Sequence, residues 1–351
     1  MRLDDLGWSP IWQFHLDALE RPGLFPGRIV RVDRGLVTLF TDRGERSATW
    51  RTPLPVAGGG EAGAPATGDF CALEEIDDAT LLRALLPRQT LFARGHGEGR
   101  PEQPIAANID VAFLVAGLDH DFNPRRLERY LALTRTAGAV PVIVLNKADL
   151  LEDPAPRLRE AEAVARGVPV LLVSAQSGEG VEALRAEVGA GRSGVLLGSS
   201  GAGKSSLLNR LLGREAMATR EVREDDSKGR HTTTARVLLP MPGGGVMIDT
   251  PGMREVGLLG DLEGLEETFD EITERAAGCR FADCGHRSEP GCAVRVAVEA
   301  GEIAADRLER FLALRHEAEV SERRASVHAQ RHHEKTTIGR WRKQVQKLKD
   351  R

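Results

Sequence analysis

The sequence has little of several features that would identify a class of protein at once. Aromatic residues make up 4% of the 351 residues, with a single tyrosine. No apolar run approaches the roughly 18 residues that a membrane-spanning helix requires, and the amino-terminal MRLDDLGW lacks the basic and apolar regions of a signal peptide. The formal net charge is only −4, so any basic surface for nucleic acid must be local. We therefore expect a cytoplasmic protein with no membrane partner.

Cysteine is also scarce, and its distribution is uneven. Of four cysteines, Cys71 stands alone and is most simply a small buried hydrophobe. The other three lie close together near the carboxyl end, in the pattern C-x4-C-x-H-x5-C. Three thiols and an imidazole are the ligand set of a closed tetrahedral site, so we expect one structural zinc ion per chain and a reducing compartment. The alternative is a group of buried structural thiols. The predicted zinc ligands are Cys279, Cys284, His286 and Cys292.

The first part of the chain has the pattern of a small β barrel. Residues 1–20 are expected to form a loosely structured lead-in or, alternatively, a short helix. Residues 27–40 predict two strands around an Asp-Arg-Gly turn, and short strands are predicted at 47–50 and 70–74. Such closely spaced short strands favour a Greek-key barrel of the OB-fold type. An SH3-like barrel would have the same pattern.

Beyond a linker at 95–104, buried strands alternate with helices. Strands are predicted at 111–116, 140–145 and 168–173, and a fourth at 193–197. This alternation is typical of a mostly parallel α/β sheet, in which ligands bind at the carboxyl ends of strands.

A phosphate-binding motif, G-x-x-x-x-G-K-S, lies between the fourth of these strands and a predicted helix. Its glycines would let backbone N–H groups surround phosphates. Lys204 would reach the β- and γ-phosphates, and the Ser205 hydroxyl would ligate Mg²⁺. The alternative is a glycine-rich turn without a ligand. The predicted nucleotide-binding residues of this phosphate loop are Gly198, Ser199, Ser200, Gly201, Ala202, Gly203, Lys204, Ser205 and Ser206.

Two further motifs indicate which base is bound. Asn146, Lys147 and Asp149 form N-K-x-D, whose aspartate would accept two hydrogen bonds from N1–H and the 2-amino group of guanine. Adenine lacks this donor pair and would leave the carboxylate unpaired. Ser174 and Ala175 match the S-A-x loop whose backbone amide contacts the guanine oxygen. Alone, each motif is also compatible with an ordinary turn after a strand.

The fourth motif, D-x-x-G, follows a strand predicted at 246–248. Asp249 would hold Mg²⁺ through water, and the Gly252 amide would contact the γ-phosphate. A threonine of the sequence GRHTTT would complete the metal shell when GTP is bound, and we favour Thr233 over Thr232. Together the four motifs predict a site for GTP or GDP with Mg²⁺.

The order of the motifs is unusual, because N-K-x-D and S-A-x precede the phosphate loop. This order indicates a circularly permuted GTPase domain. We predict a barrel with its lead-in over residues 1–95, the GTPase domain over 96–272, and a zinc-binding helical domain with a basic tail over 273–351. A helical stripe at 262–272 precedes the cysteines. The tail at 321–351 has ten Lys or Arg against three Asp or Glu, which favours RNA contact or a solvated helix face.

The motifs NKAD, SAQ, GSSGAGKSS, GRHTTT and DTPG, with the barrel and the cysteine spacing, resemble the bacterial small ribosomal subunit-dependent GTPase A family over about residues 25–320. The resemblance implies an all-β OB-fold barrel, a central α/β permuted GTPase domain and a carboxyl-terminal α-helical zinc-binding domain. It also implies binding to the 30S subunit and its 16S rRNA late in maturation, in the GTP state, with release on hydrolysis.

Two positions bear on the hydrolysis rate. Many GTPases have a water-orienting glutamine directly after D-x-x-G, where this chain has Met253, and Gly201 replaces a phosphate-loop asparagine that supports a potassium ion. We therefore predict slow hydrolysis that accelerates when a partner orders the switch. His231 is the candidate for positioning the water beside Thr233, as the resemblance also suggests. The alternative is a loop histidine that only packs.

Two other functions fit parts of the sequence. A nucleotide-gated RNA-binding module would act on a different RNA, with incidental GTPase activity. A metabolic nucleotide kinase would need an acceptor site, which the sequence does not suggest. The principal expectation is a monomeric GTP hydrolase that serves 30S maturation.

Overall fold

Two compact units make up the chain in the computed structural model. One consists of Met1–Phe92 with Pro104–Glu255, and the other of Ala93–Gln103 with Val256–Arg351. The predicted division into three domains stays a prediction. The structure describes residues 2–51, 54–59, 63–94, 103–213, 236–250 and 262–320.

The amino-terminal part of the first unit is a closed five-stranded barrel. Its strands follow the order β1-β2-β3-β5-β4, with β1 paired to β4, and β3 paired in parallel to β5. This is the strand order of an OB fold, as predicted. Alternating side chains point inward, among them Ile29, Leu39 and Leu73, and Cys71 is buried with them. The strands are β1 (Phe25–Asp33), β2 (Leu36–Thr41), β3 (Gly44–Thr49), β4 (Phe70–Ile76) and β5 (Ala79–Leu85).

The lead-in contains a short helix, the alternative to a loosely structured segment. A 3-10 turn at Asp4–Leu6 is followed by helix α1 (Pro10–Asp17), whose first residue is a proline. Trp12 and Leu16, four residues apart, are buried, and the Trp12 ring lies 4.5 Å from the Phe70 ring of the barrel. The lead-in is therefore packed against the barrel through one face of α1.

A six-stranded sheet forms the rest of the first unit. Its order is β10-β9-β8-β11-β13-β12, and every neighbouring pair is parallel except β12 and β13 at one edge. All seven residues of β8 are buried, as expected for a strand covered on both faces. The strands are β8 (Val111–Gly117), β9 (Val140–Asn146), β10 (Val170–Leu172), β11 (Ser193–Gly198), β12 (Val237–Pro240) and β13 (Val246–Asp249). Before them, β6 (Leu91–Arg94) and β7 (Gln103–Ala107) form a separate two-stranded sheet.

Helices alternate with these strands, as predicted. Helix α2 begins at Pro124, directly after Asn123, whose side chain accepts from the amides of Arg125 and Arg126 at 3.0 and 3.3 Å. Helix α5 ends at Gly213, which has a left-handed backbone at φ +64°. The helices are α2 (Pro124–Thr136), α3 (Ala155–Ala165), α4 (Val181–Val188) and α5 (Lys204–Leu212), with a 3-10 turn at Ala148–Leu150.

The described part of the second unit is mainly helical. The predicted stripe at 262–272 forms two helices, because Phe269 leaves the helical conformation and is fully buried. Its ring lies 5.6 Å from the Phe311 ring and 4.4 Å from the Arg307 guanidinium. The helices are α6 (Glu263–Thr268), α7 (Asp270–Ala276), α8 (Ala293–Glu299) and α9 (305–320). Among the described residues of the whole chain, no helix combines the length and apolar character needed to cross a membrane.

Candidate nucleotide site and metal centre

Four of the predicted motifs lie at one edge of the six-stranded sheet. Asn146 is the last residue of β9, Gly198 of β11 and Asp249 of β13, and Ser174 follows β10 by two residues. These strands are parallel to one another, so their carboxyl ends share an edge. The structure thus brings together segments that are up to about a hundred residues apart in the sequence.

The phosphate loop connects β11 to the first turn of α5. Lys204 donates to the carbonyl oxygens of Gly198 and Ser199 at 2.9 and 2.5 Å, so its ammonium lies over its own loop. Gly203 has φ +92°, and a Cβ there would lie 2.1 Å from Asn146 Nδ2. Only glycine fits at this position. The loop carries its backbone N–H groups and a helix amino terminus, which favour an anion.

Asn146 joins the phosphate loop to the S-A-Q loop (Ser174–Gln176). Its Nδ2 donates to Ala202 O at 2.9 Å, and its Oδ1 accepts from the Ala175 amide at 3.0 Å. The residue is 1% exposed. A buried amide with both ends bonded fixes the separation of the two loops.

Asp149 is exposed, with one carboxylate oxygen held in place. Ser174 Oγ donates to Asp149 Oδ1 at 2.5 Å, and the same hydroxyl accepts from the Ser177 amide at 3.0 Å. The S-A-Q loop therefore orients the Asp149 carboxylate through the Ser174 hydroxyl.

Two carboxylates that the sequence analysis missed follow β8. Asp119 accepts from Lys147 Nζ at 2.5 Å; burial opposes ionisation of Asp119, but the hydrogen bond and charge of Lys147 outweigh it and lower the pKa. Asp121 accepts from the Ser199 hydroxyl and from Arg126 Nη1. Their place directly after a buried parallel strand was the signal that could have found them.

Asp249 lies near the phosphate-loop lysine. Burial raises the pKa of its carboxyl, and the Lys204 ammonium opposes that shift. A partly buried carboxylate and an ammonium beside the phosphate loop can hold a phosphate with its divalent cation. The other predicted groups of this part of the site, His231, Thr232, Thr233, Gly252 and Met253, lie outside the described residues.

The second unit brings the predicted metal ligands together. The ligand atoms of Cys279, Cys284, His286 and Cys292 all lie within 4.8 Å of one another. A tetrahedral ion bonded to sulfur at about 2.3 Å and to nitrogen at about 2.05 Å would place two sulfurs about 3.8 Å apart and sulfur and nitrogen about 3.6 Å apart. His286 Nδ1 lies 3.6 Å from Cys279 Sγ and 3.5 Å from Cys292 Sγ, and the two sulfurs are 3.9 Å apart. The residues fit a four-coordinate metal ion.

Neighbouring groups hold the metal-binding loop. Glu289 accepts from the amides of Gly285, Arg287 and Ser288 at 3.0, 2.8 and 3.0 Å. Hydrogen bonds from its own amide and from these three lower the pKa of Glu289 to about 2. Arg315 on α9 donates to Gly285 O at 2.9 Å. The turn that carries two of the four ligands is thus fixed by one carboxylate and one guanidinium.

A family model and a relative match this chain in sequence. The RsgA GTPase model matches residues 85–259, which contain the four motifs. A protein of Syntrophotalea carbinolica named small ribosomal subunit biogenesis GTPase RsgA is 43% identical over 327 residues, 90% of this chain and 90% of that protein.

Two solved structures have a similar fold. YjeQ from Thermotoga maritima aligns with a TM-score of 0.61 and 28% identity, covering 84% of this chain and 98% of that one. YloQ, described as a circularly permuted GTPase, aligns with a TM-score of 0.59 and 24% identity, covering 85% of this chain and 96% of that one. At that identity YloQ bears on the fold alone. The predicted fold class, with barrel, permuted α/β domain and metal-binding helices, is confirmed.

Proposed function

The chain belongs to the RsgA GTPase family, and from this membership and the site we propose that it hydrolyses GTP to GDP and phosphate during small ribosomal subunit biogenesis. In the GTP state it binds 16S rRNA in the 30S subunit late in maturation, and hydrolysis releases it. The observation that carries the proposal is the joining of the N-K-x-D, S-A-Q and phosphate loops by the single buried side chain of Asn146.

Guanine selectivity follows from the chemistry of Asp149. Its carboxylate accepts N1–H and the 2-amino group of the base, while the S-A-Q backbone donates to the guanine oxygen. The Lys147 stem packs over the base, and its bond to Asp119 supports that position. Adenine has neither N1–H nor a 2-amino group, so it would leave the carboxylate unpaired.

The phosphates lie against the loop Gly198–Ser206, with Lys204 at the β- and γ-phosphates. Ser205, Asp249 and Thr233 hold Mg²⁺, which when bound neutralises charge on the phosphate oxygens. The contacts that Lys204 now makes with its own loop carbonyls support an ammonium positioned for phosphate. The Gly252 amide contacts the γ-phosphate.

Hydrolysis by the isolated protein is slow. Met253 cannot orient water and Gly201 cannot support a potassium ion, so a partner must order the switch. His231 positions the attacking water, next to Thr233. The 30S subunit is the partner that accelerates this step.

The Cys279, Cys284, His286 and Cys292 group holds one structural zinc ion. A closed set of three thiolates and one imidazole leaves no position for a substrate and suits zinc rather than a harder cation. The protein acts in the cytoplasm as a monomer, where thiols stay reduced.

The test is the GTPase rate with and without purified 30S subunits. We expect stimulation of roughly tenfold or more, as partners that complete a GTPase site supply, and co-sedimentation with 30S particles in the GTP state but not the GDP state. The 50S subunit is the control. Equal stimulation by an unrelated structured RNA would favour the alternative, a nucleotide-gated module for a different RNA. No stimulation and no co-sedimentation would reject the ribosomal role.

A further inference from the structure

Arg210 connects the helix of the phosphate loop to the S-A-Q loop. It lies on α5, six residues after Lys204, and its Nε donates to Ala175 O at 2.8 Å while Nη2 donates to Gln176 O at 2.5 Å. One guanidinium therefore holds two successive peptide carbonyls of a loop about 35 residues away in the sequence. A planar fork of donors suits such a pair, whereas a single ammonium does not.

The bonds continue from these peptides to the side chains proposed for the base. In a trans peptide the carbonyl and the following N–H point in opposite directions. The Gln176 carbonyl faces Arg210, and the Ser177 amide of the same peptide donates to Ser174 Oγ at 3.0 Å. Ser174 Oγ in turn donates to Asp149 Oδ1 at 2.5 Å. Hydrogen bonds in such a chain polarise and orient one another.

A second arginine, Arg185, connects the same part of the molecule in the opposite direction, from the helix after the S-A-Q loop to α5. Arg185 lies on α4, the helix that follows the S-A-Q loop, and its Nη2 donates to Arg210 O at 2.6 Å and to Leu211 O at 3.2 Å. These carbonyls belong to the last turn of α5, where a cation is favourable. Arg210 thus reaches from α5 to the loop, and Arg185 reaches back from α4 to α5.

We propose that Arg210 is a positioning residue for guanine selectivity. It does not contact the nucleotide; it fixes the S-A-Q loop, and through Ser174 the Asp149 carboxylate, at a set distance from the phosphate loop. A nucleotide spans both loops, so this distance decides whether the carboxylate meets the base edge while the phosphates are held. The inference rests on the proposed guanine site.

The test compares Arg210→Met with wild type for GDP and for inosine diphosphate, which lacks the 2-amino group. Dissociation constants are measured on the full chain by displacement of a fluorescent guanine nucleotide. We expect GDP affinity to fall roughly threefold to tenfold, as for loss of exposed charge-assisted hydrogen bonds, and inosine diphosphate affinity to fall less. The GDP preference therefore shrinks. Arg210→Lys, with one donor group in place of the fork, restores part of it.

Arg192→Met is the matched control. Arg192 is an exposed arginine at the opposite end of β11, bonded to Glu187 O, so both affinities should match wild type. Equal losses for the two nucleotides in Arg210→Met, or no loss, would overturn the proposal, since a merely structural defect weakens both alike. Should Arg210→Met fail to fold, Arg210→Lys replaces it in the test, and an Arg210→Lys protein with the full wild-type preference for GDP over inosine diphosphate would overturn the proposal.

The outcomes separate this inference from the proposed function. Wild-type protein that binds GDP no better than ADP would reject the guanine site itself. Wild-type protein that prefers GDP strongly, with an Arg210→Met variant that keeps the full ratio over inosine diphosphate, would reject only the role of Arg210.

Discussion

At the scale of single residues, the side chain with the most specific chemistry is Asp149. Ser174 holds one of its oxygens at 2.5 Å, and the residue is otherwise exposed. An asparagine at the same place keeps the size but replaces one acceptor with a donor. The 2-amino group of guanine would then face the N–H of the asparagine side chain, so two donors would meet. Xanthine has a 2-oxo group at that position, which can accept a hydrogen bond from the same N–H.

Asp149→Asn should therefore weaken GTP binding roughly 10- to 100-fold, the cost of leaving such donors unpaired, and strengthen binding of xanthosine triphosphate. Competition between the two nucleotides measures the change in preference. Asp153→Asn is the control, because Asp153 caps a nearby turn through its bond to the Ala155 amide and is exposed. An Asp149→Asn protein with the wild-type preference would contradict the assignment of the base-reading carboxylate.

At the scale of elements, the sequence predicts most reliably where burial is two-sided. The apolar runs of β8, β9 and β11 have polar residues only at strand ends, Asn146 in β9 and Ser193 in β11, and their predicted bounds differ from the structure by one residue. The sequence does not predict strand β5, because ATLLRAL has leucines at both a buried and a half-buried position and so lacks the apolar–polar alternation typical of a strand. The sequence predicts one helical stripe over 262–272 and does not indicate the break at Phe269. That break depends on contacts with Phe311 and Arg307, which the local pattern does not contain.

The same limit applies to the site. Motif spacing indicates which loops face the ligand, since each follows a parallel strand. It does not indicate which side chains connect those loops. Asp121 and Ser199, or Arg210 and Ala175, are paired only because the fold brings β8, β10 and β11 to one edge.

The metal-binding loop is the element with the clearest dependence on one side chain. Glu289 accepts from three amides of the segment Gly285–Ser288, next to the ligands Cys284 and His286. Glu289→Ala should lower zinc affinity about tenfold, as loss of supporting hydrogen bonds around a metal site commonly does. Competition with a chromophoric chelator on the full chain measures this.

Glu299→Ala is the comparison variant for that experiment. Glu299 is exposed at the end of α8, where it pairs with Arg295 at 3.6 Å, so its removal should leave zinc affinity unchanged. Glu289→Gln keeps one acceptor oxygen and should give an intermediate affinity. Wild-type affinity in Glu289→Ala would show that the turn forms without its carboxylate.

At the scale of the whole molecule, the first unit depends on a buried arginine between barrel and sheet. Arg28 of β1 is 1% exposed. Its guanidinium donates to Leu6 O in the lead-in, to Asn108 O at 3.0 Å and to the hydroxyl of Ser193, the first residue of β11, also at 3.0 Å. Burial lowers the pKa of Arg28 to about 10, partly opposed by Asp110 and Asp69, so it stays charged at neutral pH. The Arg28 guanidinium therefore connects the lead-in, the barrel and the sheet by hydrogen bonds.

Arg28→Met should destabilise the first unit by about 3 kcal/mol. The substitution leaves buried carbonyl oxygens without their hydrogen-bond donor and the Asp110 carboxylate without the opposite charge of the guanidinium. Nucleotide affinity should change less than about twofold, since Ser193 and Gly198 lie at opposite ends of β11, roughly 16 Å apart at the rise of a strand. Urea unfolding and GDP titration measure the two effects.

Arg31→Met on the same strand is the control, because the Arg31 pair with Asp33 is exposed at 44% and 41% and such pairs contribute little. A stable Arg28→Met protein would show that barrel and sheet are held by their apolar contacts alone; a stable fold with lost GDP binding would place Arg28 within the nucleotide site's support.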